Sequence, residues 1–163
     1  TNDGNKIPQQ TIPQYYDKLG FSYNKFADSI TVSETEWDFE RYKPDIIVIN
    51  LGTNDMSYAT TDERKAEFED GYLDFLKKVR SLNPDSYIFQ TYGVMGTSLE
   101  ENIENVRRKY MSETGDERIT FIPLTMQDED ADGIVADWHP SPRTHSLVSQ
   151  KVSAAIKETL GYK

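Results

Sequence analysis

The two histidines of the chain lie within one segment of nine residues, Asp137-Trp138-His139-Pro140-Ser141-Pro142-Arg143-Thr144-His145. An imidazole can accept and return a proton near neutral pH, so each is a candidate general base. His139 precedes Ser141, the predicted cap of a helix, and so lies in a loop from which its side chain can enter a cleft. Asp137 can orient the imidazole and Trp138 can limit water. His145 falls inside the helix, where we expect a structural or surface role.

A second polar group follows an apolar run. The run Asp45-Ile46-Ile47-Val48-Ile49-Asn50 contains four consecutive aliphatic residues, which predicts a strand covered on both faces, as in a parallel sheet. The turn Leu51-Gly52-Thr53-Asn54-Asp55 then lies at its carboxyl end, where open α/β sheets bind ligands. Because Thr, Asn and Asp also favour turns, the residue types alone are equally consistent with a simple cap.

The elements that must position these groups alternate along the chain. Periodicity and capping patterns predict three helices, opened by Thr60 with Glu63, by Ser98 with Glu101, and by Ser141 with Pro142. Three strands precede them, at 45–50, 86–91 and 118–124. A short helix is also expected from Thr11 to Leu19, and a helical turn from Trp37 to Tyr42. The order strand, helix, strand, helix, strand, helix predicts an α/β fold with a parallel sheet.

The helix faces can be predicted as well. The first helix ends at Asn83-Pro84, the second at Gly115 and the third at Gly161. Their expected buried stripes are Phe68, Tyr72, Phe75, Leu76 and Val79; Leu99, Ile103, Val106 and Tyr110; and Val148, Val152, Ala155 and Ile156.

Composition narrows the function classes. The chain has 163 residues, with 28 acidic against 18 basic residues and a formal charge of -10, which disfavours nucleic acid and anionic membrane surfaces as partners. A single domain, 1–163, is expected from this length. No apolar run reaches the roughly 20 residues of a spanning helix, and no cysteine is present for disulfide or thiolate chemistry. The first residue is Thr1, so we expect that translation starts upstream.

The two polar blocks resemble known sequence blocks. Leu51-Gly52-Thr53-Asn54-Asp55 after a buried strand, and Asp137-Trp138-His139-Pro140-Ser141 before the last helix, resemble the third and fifth blocks of the SGNH (GDSL-type) hydrolases. The closer resemblance is to family 2 carbohydrate esterases, which deacetylate plant polysaccharides. Further similar stretches are Trp37-Asp38-Phe39, Ile88-Phe89 with Gly93-Val94-Met95-Gly96, and Ile12-Pro13-Gln14-Tyr15-Tyr16-Asp17.

The resemblance implies a fold and a set of roles. The fold would be a flavodoxin-like three-layer α/β sandwich, of which this chain holds the last three strands. His139 would be the base that deprotonates a serine, and Asn54 would donate to the oxyanion hole. Trp138 would line the acetyl or sugar pocket, together with Asp55, which would also brace the turn. Asp137 would be the third triad member, although the superfamily's acid usually occupies the position of Ala136. The resemblance also implies an alternative, in which a backbone carbonyl orients His139, as in some family 2 members.

The nucleophile is expected elsewhere. The family's serine block precedes the part that matches residue 1, so the resemblance implies that an upstream segment supplies the serine. Ala27-Asp28-Ser29-Ile30-Thr31 is similar to the serine block, but Ser29 lies 25 residues before Asn54. The family places two βαβ crossovers in that interval, each needing roughly 30 residues. We therefore reject Ser29.

The acidic loop 128–133 matches the first half of a calcium-binding loop. The twelfth position, which should be a bidentate Glu, is His139, and a strand rather than a helix precedes the loop. A solvated acidic loop is therefore the preferred interpretation, and neither a metal nor an organic cofactor is expected.

The prediction from sequence is thus a secreted serine esterase that removes O-acetyl groups from a polysaccharide such as xylan or glucomannan. The alternatives are a carbohydrate-binding remnant of the esterase fold and a lipase or thioesterase of the same superfamily. The sequence also predicts that the strand at 45–50 has an open apolar edge next to the missing serine strand. Such edges pair with other chains, so the 163 residues alone should aggregate or associate with a second segment and should not hydrolyse an aryl acetate.

Overall fold

The computed structural model describes residues 11–21, 25–26 and 30–162. Helices and strands alternate from the third strand onward. In chain order, the elements are α1 (Ile12–Tyr15), β1 (Lys25–Phe26), β2 (Ile30–Thr31), β3 (Ile46–Asn50), α2 (Asp62–Leu82), β4 (Tyr87–Tyr92), α3 (Glu100–Thr114), β5 (Ile119–Pro123), α4 (Glu129–Asp132) and α5 (Pro142–Leu160). Three single 3-10 turns lie at Phe39–Arg41, Asp55–Ser57 and Ala136–Trp138.

The main sheet is parallel, in the order β3-β4-β5. Its register pairs Asn50 with Thr91 and Tyr92 with Pro123, so the three strands end at one edge. The helices α2 and α3 pack on one face and α5 packs on the other. The predicted three-layer α/β sandwich with a parallel sheet is therefore confirmed. A separate antiparallel pair, β1-β2, was not predicted because each strand has only two residues.

The predicted helix stripes form the core. One cluster joins the sheet to α2 and α3 through nearly solvent-free side chains, among them Leu76, Val79, Ile103 and Tyr110. The other cluster joins Phe89, Ile122 and Leu124 to the predicted α5 stripe, whose members are partly buried. Burial of apolar side chains stabilises by about 25 cal/mol per Å², so these two clusters fix the helices against the sheet.

Two predicted helix starts are wrong by one residue. The cap of α2 is Thr61 rather than Thr60, because the Thr61 Oγ1 accepts the Arg64 N–H at 3.4 Å. The N-cap of α3 is Leu99 rather than Ser98; Leu99 is fully buried and makes no side-chain capping hydrogen bond. The predicted start of α5 is confirmed, since the Ser141 hydroxyl accepts from the Thr144 N–H.

Arg80 of α2 holds the opposite edge of the sheet, where the strands begin. Its guanidinium contacts Asp116 at 2.6 Å and donates to the carbonyls of Asn83, Ser86 and Arg118. Both side chains of the Arg80–Asp116 pair are mostly buried. This cluster connects the end of α2 to the entries of β4 and β5.

The outer edge of β3 is unpaired in the described part of the chain, where β4 is its one neighbour. Val48, in the middle of β3, is 48% exposed. The sequence predicted an open apolar edge at this strand, and the described residues have one. Among the described helices, none contains an apolar stretch of the length that a membrane span requires.

Candidate functional site

The Asn54 turn lies at the carboxyl end of β3. Gly52 adopts φ 117°, and a Cβ there would lie 3.2 Å from the Tyr92 ring, so glycine fits both the backbone and the space. The Met56 N–H donates to the Gly52 carbonyl at 3.0 Å, and the Ser57 hydroxyl donates to the Asn54 carbonyl at 2.9 Å. These bonds fix the turn while leaving the Asn54 residue exposed at the sheet edge.

The charge of Asp55 acts on a buried polar side chain, Tyr72. Much of the Asp55 residue is exposed, but protein atoms crowd its carboxyl, and this desolvation raises the pKa of that carboxyl. Burial raises the pKa of the Tyr72 hydroxyl, and the Asp55 charge raises it further. The side chain of Gln90, which is fully buried on β4, lowers the pKa of the Tyr72 hydroxyl. Within the described residues, however, neither the Tyr72 hydroxyl nor the Gln90 amide has a hydrogen bond of normal geometry.

The loop after β4 lies close to the loops that follow β3 and β5. Gly93 has φ 135°, and a Cβ there would lie 2.4 Å from the Leu124 carbonyl, so only glycine lets the loop pass over the end of β5. At Gly96 a Cβ would lie 2.5 Å from the Met56 sulfur, in the turn that follows Asn54. The loops after β3, β4 and β5 are therefore packed together at one edge of the sheet.

The loop between α4 and α5, residues 133–141, contains His139 and is called the histidine loop; its two ends are bonded to each other. A β-bridge joins Ile134 to Pro140, and the Val135 N–H donates to the His139 carbonyl at 3.0 Å. Inside this closure, Asp137 and Trp138 both adopt the left-handed conformation, with φ 54° and 60°. Such a conformation costs about 1 kcal/mol for each non-glycine residue, so the surrounding bonds must hold it.

The imidazole of His139 is oriented by the main chain. Its Nδ1 lies 3.1 Å from the Ala136 carbonyl oxygen. Because a carbonyl oxygen can only accept, Nδ1 carries the proton and Nε2 keeps the lone pair that a general base needs. The His139 residue is exposed, so Nε2 is open to a reacting group.

The structure places the predicted site residues in two loops, one after β3 and one before α5. Asn54 and Asp55 follow β3, whereas Asp137, Trp138 and His139 lie in the loop before α5. Asp137 directly precedes Trp138 and is not among the hydrogen-bond partners of His139 in the described part of the chain. Its role as third triad member stays a prediction. Trp138 is 68% exposed and therefore available to line a pocket.

Other predicted positions have different outcomes. His145 is exposed on α5. Ser29 lies outside the described residues. In the acidic loop, the Asp128 carboxylate accepts from the Asp130 and Ala131 N–H groups, which caps α4, and Asp132 pairs with Arg143 at 2.6 Å. No group of three or more metal-ligating residues occurs among the residues that the structure describes.

The chain matches one protein family and is similar to known proteins over most of its length. The model of the GDSL-like lipase/acylhydrolase family matches residues 6–147. The cellulase/esterase CelE of Acetivibrio thermocellus is 35% identical over 148 residues, covering 85% of this chain and 17% of that protein.

Two solved structures are similar over nearly the whole chain. A family two carbohydrate esterase from Clostridium thermocellum, in complex with cellohexaose, has a TM-score of 0.78 and 33% identity, covering 96% of this chain and 45% of that one. An acetyl xylan esterase from the rumen bacterium Butyrivibrio proteoclasticus has a TM-score of 0.84 over 93% of this chain and 46% of that one; at 23% identity, this likeness shows the fold. The chain thus spans less than half the length of these relatives.

Proposed function

This chain belongs to the GDSL-like lipase/acylhydrolase family, and on that premise we propose that it is part of a secreted serine esterase that removes O-acetyl groups from a polysaccharide such as xylan or glucomannan. The observation that carries the proposal is the contact between His139 Nδ1 and the Ala136 carbonyl, which leaves Nε2 as an exposed base. The carbohydrate ester class follows two relatives, a family two carbohydrate esterase at 33% identity and the cellulase/esterase CelE at 35% identity, and the acetyl group follows the resemblance to family 2 carbohydrate esterases.

In the proposed reaction, a serine hydroxyl attacks the acetyl carbonyl while His139 Nε2 takes its proton. The tetrahedral intermediate then releases the sugar hydroxyl, which receives that proton from His139. Water, deprotonated in the same way, attacks the acetyl-serine and releases acetate. The Asn54 side-chain amide and two backbone N–H groups would hold the oxyanion. One such donor contributes about 3 kcal/mol to stabilising the transition state.

Trp138 is the proposed wall of the acetyl or sugar pocket. It directly precedes His139, and its exposed ring offers an apolar face at the site. Asp55 is proposed to brace the Asn54 turn, because the Asp55 carbonyl accepts the N–H groups of Tyr58 and Ala59 at 2.9 and 2.8 Å. Its carboxyl is a further candidate for contact with the sugar.

The serine is proposed to come from an upstream segment that pairs with the open edge of β3. The strand β3 runs parallel to β4 and ends at Asn50, shortly before the Asn54 turn. A further strand that paired with β3 in the same parallel direction would therefore have its carboxyl end beside Asn54. Mass spectrometry and an aryl acetate assay on the purified 163-residue chain test this; a single monomeric and active 18.8 kDa species would contradict it and would return Ser29 to consideration.

The proposed deacetylase function is tested by measuring the hydrolysis of three substrates by the natural protein that includes these residues. We expect acetate release from acetylated xylan or acetylated glucomannan, and much slower hydrolysis of a long-chain acyl ester. Binding of the polysaccharide without release of acetate would instead support a carbohydrate-binding remnant. Faster hydrolysis of the long acyl chain would support a lipase or thioesterase. Either result would refute the deacetylase proposal.

A further inference from the structure

The left-handed pair Asp137-Trp138 determines where the imidazole of His139 stands. Trp138 is the residue before His139, and Ala136, whose carbonyl contacts Nδ1, is the residue before Asp137. A change in either left-handed residue would therefore move the carbonyl and the ring relative to each other. Because neither residue is glycine, this conformation persists only where other contacts impose it.

Gln127 makes such a contact from outside the histidine loop. Its side-chain Nε2 donates to the Trp138 carbonyl at 2.8 Å. Its own main-chain N–H donates to the Val94 carbonyl, in the loop after β4, at 2.9 Å. Gln127 itself lies in the loop after β5. One residue thus connects all three segments that follow β4, β5 and α4.

The amide of Gln127 is held in one orientation. The group facing Trp138 must be the donor nitrogen, because a carbonyl oxygen can only accept. Its Oε1 is buried and has no hydrogen-bond partner within the described residues. A buried acceptor without a partner destabilises the folded state, so stability alone does not explain this glutamine.

We infer that Gln127 is a positioning residue for His139: it fixes the Trp138 carbonyl, and through the left-handed pair it keeps the Ala136 carbonyl on Nδ1. The inference rests on the proposed role of His139 as general base. Loss of the Gln127 donor should let the loop relax, so that Nδ1 loses its partner and the imidazole samples the wrong tautomer. A misplacement of about 1 Å in such a group can cost 10²-fold in rate.

The test uses Gln127→Met in the natural protein that includes this chain. Methionine keeps the length of the side chain and removes both the donor and the unpartnered acceptor, so stability should change little while the histidine loop is released. The matched control is Gln150→Met on the exposed face of α5, where the amide donates to the Ser146 hydroxyl at 3.3 Å. Acetate release gives kcat and KM, and imidazole ¹⁵N NMR gives the tautomer of His139.

We expect Gln127→Met to lower kcat at least about tenfold with KM within about twofold, and to convert the Nδ1–H tautomer into a mixture. Gln150→Met should match the parent in both readouts. An unchanged kcat and tautomer in Gln127→Met would overturn the inference. Should that variant not fold, Gln127→Glu, which replaces the donor nitrogen with an oxygen, is judged by the same criteria. A parent protein without esterase activity would refute the proposed function, and the tautomer would still decide the role of Gln127.

Discussion

Replacing Asp137 with asparagine separates the two groups that could orient His139. Asparagine tolerates the left-handed conformation that Asp137 adopts at φ 54°, so this change removes the carboxylate with little strain. Alanine at the same position would add the strain of a left-handed residue, about 1 kcal/mol, and would confuse the two effects. Asp137→Asn is therefore the informative variant.

The expected loss follows from the contact at Nδ1. In a carboxylate triad, the change from Asp to Asn costs roughly 10⁴ in kcat because the amide favours the wrong tautomer of the histidine. Here Nδ1 lies 3.1 Å from the Ala136 carbonyl, which the substitution does not alter. A carbonyl carries no proton, so it continues to hold the Nδ1–H tautomer. We expect kcat/KM to fall less than about threefold.

The assay is acetate release at saturating and limiting concentrations of acetylated xylan, with Asp137→Asn and Asp137→Ala measured side by side. A greater loss in the alanine variant than in the asparagine variant would report backbone strain rather than a catalytic carboxylate. A loss above about 100-fold in Asp137→Asn would refute the reasoning and would establish the aspartate as the third triad member.

Three further changes test other parts of the account. Asn54→Ala should lower kcat by about 10² to 10³ with a smaller change in KM, because its amide acts on charge present only in the transition state; a change confined to KM would mean that Asn54 binds sugar. Asp55→Asn should stabilise the protein more at about pH 7 than at about pH 3.5. Desolvation raises the pKa of the Asp55 carboxyl in the folded state. The parent protein therefore loses stability as the pH rises from the pKa of the unfolded state, about 4, through the higher pKa of the folded state, and asparagine removes this loss. Urea unfolding at both pH values measures this, and a difference independent of pH would contradict it. Arg80→Met should lower the free energy of unfolding by about 2 kcal/mol, because it removes the partner of Asp116 and the donors to several strand-end carbonyls; an unchanged urea midpoint would show that these contacts are not stabilising.

Much of the fold was predictable because it depends on side-chain patterns. The run of aliphatic residues predicted β3, and the 3.6-residue periods predicted the buried faces of α2 and α3. Ser141 followed by Pro142 predicted the start of α5. The starts of α2 and α3 were displaced by one residue for different reasons: two threonines adjoin at α2 and Thr61 makes the capping hydrogen bond, whereas the N-cap of α3 is Leu99, whose residue type gives no capping signal.

The candidate site was predictable only in part. His139 and Asn54 carry distinctive side chains, and each lies in the loop that the sequence predicted for it. The resemblance implied that a backbone carbonyl could orient His139 but not which one, because every residue has a carbonyl and only the backbone path selects Ala136. The left-handed pair Asp137-Trp138 also gave no signal, since Trp is a poor candidate for that conformation. The donor role of Gln127 depends on that same backbone path.

The most direct test of the account uses the two histidines as a matched pair. His139→Ala and His145→Ala make the same substitution six positions apart, one in the histidine loop and one on the exposed surface of α5. Acetate release from acetylated xylan is measured for both in the natural protein that includes this chain. We predict that His139→Ala abolishes turnover, whereas His145→Ala keeps near-normal kcat and at most loses some stability. Near-normal turnover by His139→Ala would contradict the assignment of the general base and with it the proposed esterase mechanism.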